Sequence, residues 1–340
     1  MRIDAEALRA WAERLLRAIG AGERAAEPAR HLVLANLKGH DSHGVGMLPR
    51  YVKAAGCGEL NPAAGAERLA SGSGFTAWDG GMGLGQSVMP EALAASADAM
   101  EGAAHVVTLR RAHHLGRIGH YAEEMAGRGL VSIFFVNVTG APPAVAAQGS
   151  RGTVFGTNPV TIGLPTGQVL DMATSAIAHG KARAAHEAGK ALPPDAAQDA
   201  SGAPTLDASA PLADGALLPV GGALAGHKGA GLAFMAEALG GLMARGAAAH
   251  APAVHEFGIR NDASCVLIDP AAMGVDLSGA DALADWLRAR PASGAAVMAP
   301  GDAEAAAMAK RREEGIPIPG GTMALLREAS LEAGVAPPGA

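Results

Sequence analysis

The chain has 340 residues, of which 49% are apolar and 18% charged, so it is long enough to bury a large core. Its formal net charge of -6 gives no broad cationic surface, which argues against a protein that mainly binds nucleic acid. Two cysteines are too few for a disulfide framework, and neither a signal segment nor an apolar run of membrane-spanning length is evident. We therefore expect a cytoplasmic protein with no membrane partner.

Helices are predicted at the beginning of the chain. Leu8, Trp11, Leu15 and Ile19 recur at helical spacing with charged residues between them, which is typical of a docked amphipathic helix. A second helix is predicted to start at 27–28, where proline is tolerated in the first turn, and to end near residues 40–44.

The rest of the chain alternates between the two helix and strand periodicities. Helices are predicted over 91–100, 120–126, 180–188, 228–245, 281–288 and 302–312. Strands are predicted over 105–109, 131–138, 160–164, 169–172, 265–268 and 295–298. Residues 190–223 are rich in Pro, Gly and Asp without periodicity, which favours an irregular excursion. This alternation predicts an α/β fold with a mixed or parallel sheet covered on both faces.

Two histidine-containing turns are the most informative motifs. The tetrad Asp41-Ser42-His43-Gly44 ends the second predicted helix, and His113-His114-Leu115-Gly116 follows a predicted strand. Such turns display an imidazole where the backbone leaves regular structure, and an imidazole can give or take a proton near neutral pH. The motifs therefore favour an enzyme.

Other interpretations of these histidines fit less well. A metal centre is disfavoured because the adjacent side chains of His113 and His114 diverge and no HExxH helix is present. A serine hydrolase is disfavoured because no GxSxG elbow surrounds Ser42. Ser42 is better interpreted as a hydrogen-bonding companion of an imidazole.

Three further segments could bind anions or a cofactor. Gly80 to Gly85 resembles a dinucleotide fingerprint, but no helix signal follows at once, so a tight packing turn is favoured. Residues 171–175 supply hydroxyls and a carboxylate at the end of a strand. Lys228 stands with a glycine at the predicted start of a long helix, and 300–302 opens another helix.

Several stretches together resemble the malate/L-lactate dehydrogenase family, which is distinct from the classical lactate dehydrogenases. They are GHDSHGVGMLPRYV at 39–52, HHLGRIGHYAE at 113–123, FGTNP at 155–159, LDMATS at 170–175, GK at 180–181, PVGG at 219–222 and HKGAGLAFMAEAL at 227–239. Because they recur in family order across nearly the whole chain, the resemblance is specific. It is greatest to the hydroxycarboxylate dehydrogenase B-like members.

The resemblance implies a fold, a cofactor and an assembly. We expect a three-layer, mixed-sheet, sulfolactate-dehydrogenase-like fold with an N-terminal helical region and a non-Rossmann cofactor domain. The expected divisions are a helical, substrate-side region at 1–75 joined by 303–340, a central catalytic segment at 76–125, and a cofactor domain at 126–302. The cofactor implied is NAD or NADP, and the assembly implied is a homodimer.

The resemblance also implies roles for individual residues. His43, with Ser42 as its partner, and His114 are the expected acid/base groups, and the residues alone do not rank the two histidines. The expected substrate residues are Arg50, Thr157 and Asn158. The expected cofactor residues are Asp171, Met172, Ala173, Thr174, Ser175, His227, Lys228, Pro300, Gly301 and Asp302. No metal is expected.

The chain departs from the family pattern at two places. Met47 stands where many members have an arginine that can bind a substrate carboxylate, and Asp195-Ala196 stands where Gly-Trp is usual. The carboxylate must then bind Arg50, Arg117, Lys228 or backbone amides. The expected activity is interconversion of a 2-oxo acid and a 2-hydroxy acid. The alternatives are a cyclic-imine reductase, a ureidoglycolate or malate dehydrogenase, and a catalytically silent binding protein.

Overall fold

The computed structural model describes residues 1–252, 254–292 and 296–339. Its main feature is a seven-stranded mixed sheet in the spatial order β2-β3-β4-β11-β5-β6-β7. The strands are β2 Glu67–Gly72, β3 Phe75–Asp79, β4 Ala104–Ala112, β5 Val131–Thr139, β6 Val160–Gly163, β7 Val169–Met172 and β11 Arg260–Ile268. Only β3 and β4 run parallel to each other; every other neighbouring pair in this sheet is antiparallel.

Five short strands in the described residues lie outside the main sheet. β8 Ala197–Gln198, β9 Pro204–Thr205 and β10 Ala216–Leu217 form a small three-stranded sheet. β1 Arg2–Ile3 pairs antiparallel with β12 Ile316–Pro317, so the first residues of the chain lie beside its C-terminal segment.

Helices form the N-terminal part of the chain and also pack on the sheet. They are α1 Ala5–Leu16, α2 Ala26–Leu37, α3 Leu48–Gly56, α4 Gly85–Asp98, α5 Gly119–Ala126, α6 His179–Glu187, α7 Gly222–Ala236, α8 Gly279–Arg288, α9 Asp302–Glu314 and α10 Gly320–Glu332. In the described part of the chain, no helix combines the length and apolarity needed to cross a bilayer.

The N-terminal helices form their own hydrophobic core together with α10. Asp4 caps α1, and its carboxylate accepts hydrogen bonds from the backbone amides of Glu6 and Ala7. One turn further on, the buried indole of Trp11 donates a hydrogen bond of 3.2 Å to Ser330 in α10. The last helix is therefore part of the layer built by the first residues.

The strongly periodic predictions are confirmed. The first two helices, the strands β4 to β7, and the helices near 120, 180, 281 and 302 occur within a few residues of their expected bounds. The long helix predicted over 228–245 also occurs, but α7 starts six residues earlier, and a π-helical segment at Glu237–Leu242 follows it. The predicted strand at 295–298 is wrong for 296–298, which form no strand, while residue 295 lies outside the described residues. Nine of the helices and strands in the described residues were not predicted. Two are helices, α3 and α10, and seven are strands, β1, β2, β3, β8, β9, β10 and β12, of which β8 to β10 lie in the segment 190–223 that was expected to be irregular.

Candidate active site

The turn that carries His43 is held by a buried asparagine. Asn36 in α2 accepts a hydrogen bond of 2.8 Å from the backbone amide of Val45 and donates one of 2.7 Å to Asp41. Gly44 packs against this amide, because a Cβ at position 44 would lie 2.2 Å from the Asn36 oxygen. From α9, Arg311 binds both carboxylate oxygens of Asp41. The turn is thus fixed from two sides.

The turn that carries His114 is held by three elements. At the irregularity between β11 and β4, the Asn261 side chain accepts a hydrogen bond of 2.8 Å from the amide of Leu115. The amide of His113 donates to the carbonyl of Gly83 at 2.9 Å. A Cβ on Gly85 would lie 2.5 Å from the His114 carbonyl oxygen, so the glycine lets α4 start directly against this turn. The glycine-rich segment packs closely against this turn, but α4 follows it at once, so the expectation that the next helix starts only at residue 91 is wrong.

The two turns bring the predicted histidines together. The rings of His43 and His114 are stacked, with centroids 5.4 Å apart and planes inclined by 26°. Each Nδ1 atom has a hydroxyl partner, Ser42 Oγ at 2.9 Å for His43 and Tyr51 Oη at 2.6 Å for His114. The Nε2 atoms of the two rings are left for other partners.

Both imidazoles are kept neutral by their surroundings. Burial lowers the pKa of His43 to about 4, against the opposing effect of the Asp171 carboxylate. Burial also lowers the pKa of His114 well below its usual range, and the neighbouring His43 and His113 act in the same direction. At neutral pH both rings are therefore uncharged.

Cationic side chains surround the histidine pair. Arg50 is half-buried, and its Nε and Nη2 donate to the carbonyls of Phe257 and Gly258. Burial lowers the pKa of Arg50, and the Arg183 charge lowers it further. Arg50 in turn lowers the pKa of His114, and with Arg183 it lowers that of the half-buried His179 after the larger effect of burial. An anionic ligand would be attracted to this region.

Helix α6 covers the Ser42 turn. A Cβ on Gly180 would lie 2.6 Å from Ser42 Cβ, so only a glycine allows this approach. One turn later on the same face, Arg183 is exposed, and after another turn Glu187 approaches Gly321 in α10. Arg183 therefore lies between the two contacts that α6 makes with the N-terminal layer.

Asp171 lies close to the histidine pair rather than at a free loop. Its carboxylate accepts hydrogen bonds from Thr161 Oγ1 at 2.8 Å and from the Gly119 amide at 2.9 Å, and it lies 3.5 Å from Arg117 Nε. Arg117 also forms an ion pair of 2.9 Å with Glu123. This buried network fixes the charges behind His43.

The segment after Asp171 forms a compact turn. The Thr174 hydroxyl donates to the carbonyl of Thr157 at 3.1 Å, and the Ser175 hydroxyl donates to that of Ile177 at 2.7 Å. Met172 and Ala173 are half-buried, and they offer backbone groups and an apolar surface. The two hydroxyls therefore stabilise the turn itself.

His227 and Lys228 are exposed near the beginning of α7. This helix is kinked at Ala225, so both residues lie in the first turn of the segment that follows the kink. A Cβ on Gly229 would lie 2.4 Å from the carbonyl oxygen of Val220, which explains how closely the helix packs on the turn before it. An exposed ammonium group at this position can attract an anionic group.

The predicted segment at 300–302 starts α9. Gly301 has a φ of 96°, a conformation that favours glycine. The Asp302 carboxylate binds Arg288 through two hydrogen bonds of 2.9 and 2.7 Å and accepts another from the Ala299 amide. The hydrogen bonds from Arg288 and from the Ala299 amide lower the pKa of Asp302 to about 2. The carboxylate is therefore already bound within the chain.

Asn158 is fully buried, and its side chain is used within the protein. Its Oδ1 accepts from the Val138 amide at 3.1 Å, and its Nδ2 donates to Glu237 at 2.7 Å and to the Ala233 carbonyl at 3.3 Å. Thr157 offers its carbonyl to Thr174. These contacts join β5 to the helix that follows α7's kink.

One cluster has the residue types of a metal site. Glu27, His120 and Glu124 place one ligand atom each within 4.8 Å of the others. Arg30 Nη2 lies among them, at 2.6 Å from Glu27 Oε1, 2.7 Å from Glu124 Oε1 and 3.2 Å from His120 Nε2. The guanidinium group supplies the positive charge that a metal ion would otherwise bring.

The chain also matches a known protein family. The sequence pattern of the malate/L-lactate dehydrogenase family matches residues 3–327. The chain belongs to this family. The family predicted from the sequence motifs is confirmed, and the protein is an enzyme of the malate/L-lactate dehydrogenase family.

Its relatives in the malate/L-lactate dehydrogenase family are similar over most of their length. Hydroxycarboxylate dehydrogenase B of Escherichia coli K12 is 35% identical, covering 98% of this chain and 95% of the relative. L-lactate dehydrogenase of Cupriavidus necator is 37% identical over 74% of each chain. The solved sulfolactate dehydrogenase of Methanocaldococcus jannaschii is 29% identical with a TM-score of 0.84, covering 98% of both chains. The predicted sulfolactate-dehydrogenase-like fold is confirmed.

Two side chains that contact the histidine pair or its partner were not predicted from the sequence. Tyr51 follows Arg50 in the motif at 39–52, eight residues after His43. Gln86 directly follows the glycine-rich turn. Both positions lay inside segments that were already singled out. Their pairing joins residues far apart in the chain, so only the structure reveals it.

Proposed function

We propose that this protein is an NAD(P)-dependent oxidoreductase that interconverts a 2-oxo acid and a 2-hydroxy acid. The observation that carries the proposal is the stacked pair of His43 and His114 beside the Arg50 guanidinium. Hydride transfer to a 2-oxo acid requires a proton for the developing alkoxide and a cationic group for the carboxylate. The histidine pair and Arg50 supply these two kinds of group.

Because the pKa of His43 is low, oxidation of a 2-hydroxy acid and reduction of a 2-oxo acid should depend differently on pH. A neutral His43 accepts the hydroxyl proton when a 2-hydroxy acid is oxidised, whereas reduction requires an imidazolium. Because the pKa of His43 is about 4, few molecules carry that proton at pH 7. We therefore expect the rate of 2-oxo acid reduction to rise as the pH falls from 8 toward 6, with a slope that His43→Asn removes.

Arg50 is the best candidate for the substrate carboxylate. Nε and Nη2 hold the arginine in place through two carbonyls, and Nη1 donates to none of the described residues. Because Asn158 is fully buried and its amide is bound within the protein, we propose that Thr157 and Asn158 support the substrate site from behind. In this chain Arg50 would then take the role of the arginine that many family members have at the position of Met47.

The proposed cofactor contacts are the anion-binding groups of the larger domain. When bound, the nicotinamide supplies the hydride. Lys228 and His227 would hold anionic groups of the cofactor, and residues 171–175 and 300–302 would form the adjacent turns. We also retain the proposed division into regions 1–75 with 303–340, 76–125 and 126–302.

A homodimer is the assembly that we propose. Leu224, Leu232, Met235 and Leu242 recur at helical spacing along α7 and the turns that follow it, and 38 to 90% of each is exposed. Phe234 and Met243 beside them are 60% and 44% exposed. A second copy of the chain would cover these apolar side chains.

The decisive experiment is a panel of substrates and cofactors on the purified protein. Phenylpyruvate, pyruvate, oxaloacetate and a cyclic imino acid are assayed with NADH and with NADPH. We expect oxidation of one reduced cofactor with at least one 2-oxo acid, and a loss of about 10²-fold or more in His43→Asn or His114→Ala. Turnover of the cyclic imino acid alone, or near wild-type turnover in both variants, would contradict the proposal.

A further inference from the structure

A buried chain of hydrogen bonds leads to His114. Gln86 Nε2, in the first turn of α4, lies 2.8 Å from Tyr51 Oη, and Tyr51 Oη lies 2.6 Å from His114 Nδ1. Gln86 and Tyr51 are fully buried, and His114 is 8% exposed. Because water has little access, Tyr51 and His114 depend on these two hydrogen bonds, which form with the Gln86 amide turned so that Nε2 faces the phenol. Gln86 Oε1 has no partner among the described residues.

The number of protons on each group decides which group donates in each of these two hydrogen bonds. An amide nitrogen only donates, so the Tyr51 oxygen accepts from Gln86. The phenol has a single proton, and the other short contact of its oxygen is with His114 Nδ1. The phenol therefore donates to Nδ1, and in a neutral imidazole the proton must then be on Nε2.

His43 has a different kind of partner. Ser42 Oγ, at 2.9 Å from His43 Nδ1, has no other hydrogen bond within the described residues. A serine hydroxyl can rotate to donate to a nitrogen or to accept from it. The partner of His43 therefore adapts when the ring gains or loses a proton, whereas the partner of His114 is fixed.

We propose that Tyr51 and Gln86 are positioning residues that hold His114 as the Nε2–H tautomer, and that His43 is the group that changes its protonation state. His114 then polarises the substrate oxygen with a hydrogen bond while His43 transfers the proton. The roles of His114 and His43 toward the substrate rest on the proposed function. The tautomer itself is a property of the protein without substrate.

The electrostatic surroundings support the same arrangement. Burial raises the pKa of the Tyr51 phenol and lowers that of His114, so neither group is charged near neutral pH. Both neutral groups can keep their roles over a wide pH range. By contrast, the carboxylate of Asp171 favours the protonated form of His43 and partly opposes the effect of burial.

Nitrogen NMR of the protein labelled at its histidines tests the tautomer directly. Long-range proton–nitrogen spectra distinguish a protonated ring nitrogen from an unprotonated one, and the signals missing from a His114→Gln sample identify His114. We expect an unprotonated Nδ1 and a protonated Nε2 from pH 6 to pH 9. A protonated Nδ1 in the wild type would overturn the proposal.

Two variants make the test sharper. Gln86→Glu replaces the donor with a carboxylate of the same shape, so above the pKa of that carboxyl group Tyr51 donates to Glu and accepts from His114. We expect the proton to move to Nδ1 in this variant, and an unchanged tautomer would refute the role of Gln86. In Tyr51→Phe, which keeps the packing, we expect both tautomers, and a single unchanged tautomer would refute the role of Tyr51.

Kinetics separate positioning from a merely structural role. We expect Tyr51→Phe to lower kcat by up to about 10²-fold, as for a misplaced catalytic group, with little change in KM. The pH dependence of reduction should persist in Tyr51→Phe and disappear in His43→Asn; the opposite pattern would identify His114 as the proton donor. If no 2-oxo acid is turned over, the proposed function fails, while the NMR result still decides the tautomer.

Discussion

The contact between Gly44 and Asn36 predicts a strong energetic coupling. Asn36→Ala leaves the buried Val45 amide without a partner and removes the hydrogen bond to Asp41, which should cost about 2–4 kcal/mol of unfolding free energy. Gly44→Ala has no backbone penalty, because φ is -92° at this residue. Its Cβ would lie 2.2 Å from the Asn36 oxygen, so it should displace the same amide and cost a similar amount.

The double variant distinguishes this explanation from two independent losses. Once Asn36 is alanine, the space that the Gly44→Ala methyl group needs is open. The double variant should therefore be destabilised by about 2–4 kcal/mol rather than by twice that value, which is a coupling of about 2–4 kcal/mol. Chemical denaturation of the four proteins measures the cycle. Losses that add to within about 0.5 kcal/mol would show that the two side chains do not compete for one space.

Three further results are expected. Because the pKa of His43 is about 4 in the fold and near 6.5 when unfolded, the unfolded chain binds more protons between these values. Stability should thus fall as the pH drops through that window, and the fall should be smaller in His43→Asn; equal slopes would contradict the shifted pKa. Lys228→Met should weaken NAD(P)H binding by roughly 10-fold, measured by fluorescence titration, since it removes one exposed charge contact. Lys190→Met is the control, and equal affinities in the two variants would exclude the assigned role. Phe234→Asp should produce a monomer in light scattering, whereas Leu331→Asp, on α10, should not; a wild-type monomer would refute the proposed dimer.

The sequence predicts those parts of the fold in which one short segment carries the signal. The strands β4 to β7 and the long helix near 228 have clear periodicity, and they were found. β2 has every side chain exposed and so lacks the alternation that identifies a strand. α3 has only nine residues and begins directly after the His43 turn, which hides its start. α10 was missed although its buried side chains complete the N-terminal core.

The candidate site divides in the same way. His43 and His114 were found because each is followed closely by a glycine turn in its own segment. The contact of Tyr51 with His114 joins residues 63 apart, and that of Gln86 with Tyr51 joins residues 35 apart. A single sequence carries no record of such pairings, since they depend on how α3, α4 and the strand end pack together. The engaged carboxylate of Asp302 was hidden for the same reason.

The position of β11 has a consequence for synthesis on the ribosome. This strand lies between β4 and β5 in the sheet, yet its residues, 260–268, come more than 120 positions after β5. A nascent chain that ends before residue 260 therefore has two long, largely apolar strands with unpaired edges where β11 will later insert. Such edges attract other strands, and closing the sheet requires a long loop to be ordered first. We therefore expect the nascent chain to be most prone to association with other chains until the C-terminal third has emerged.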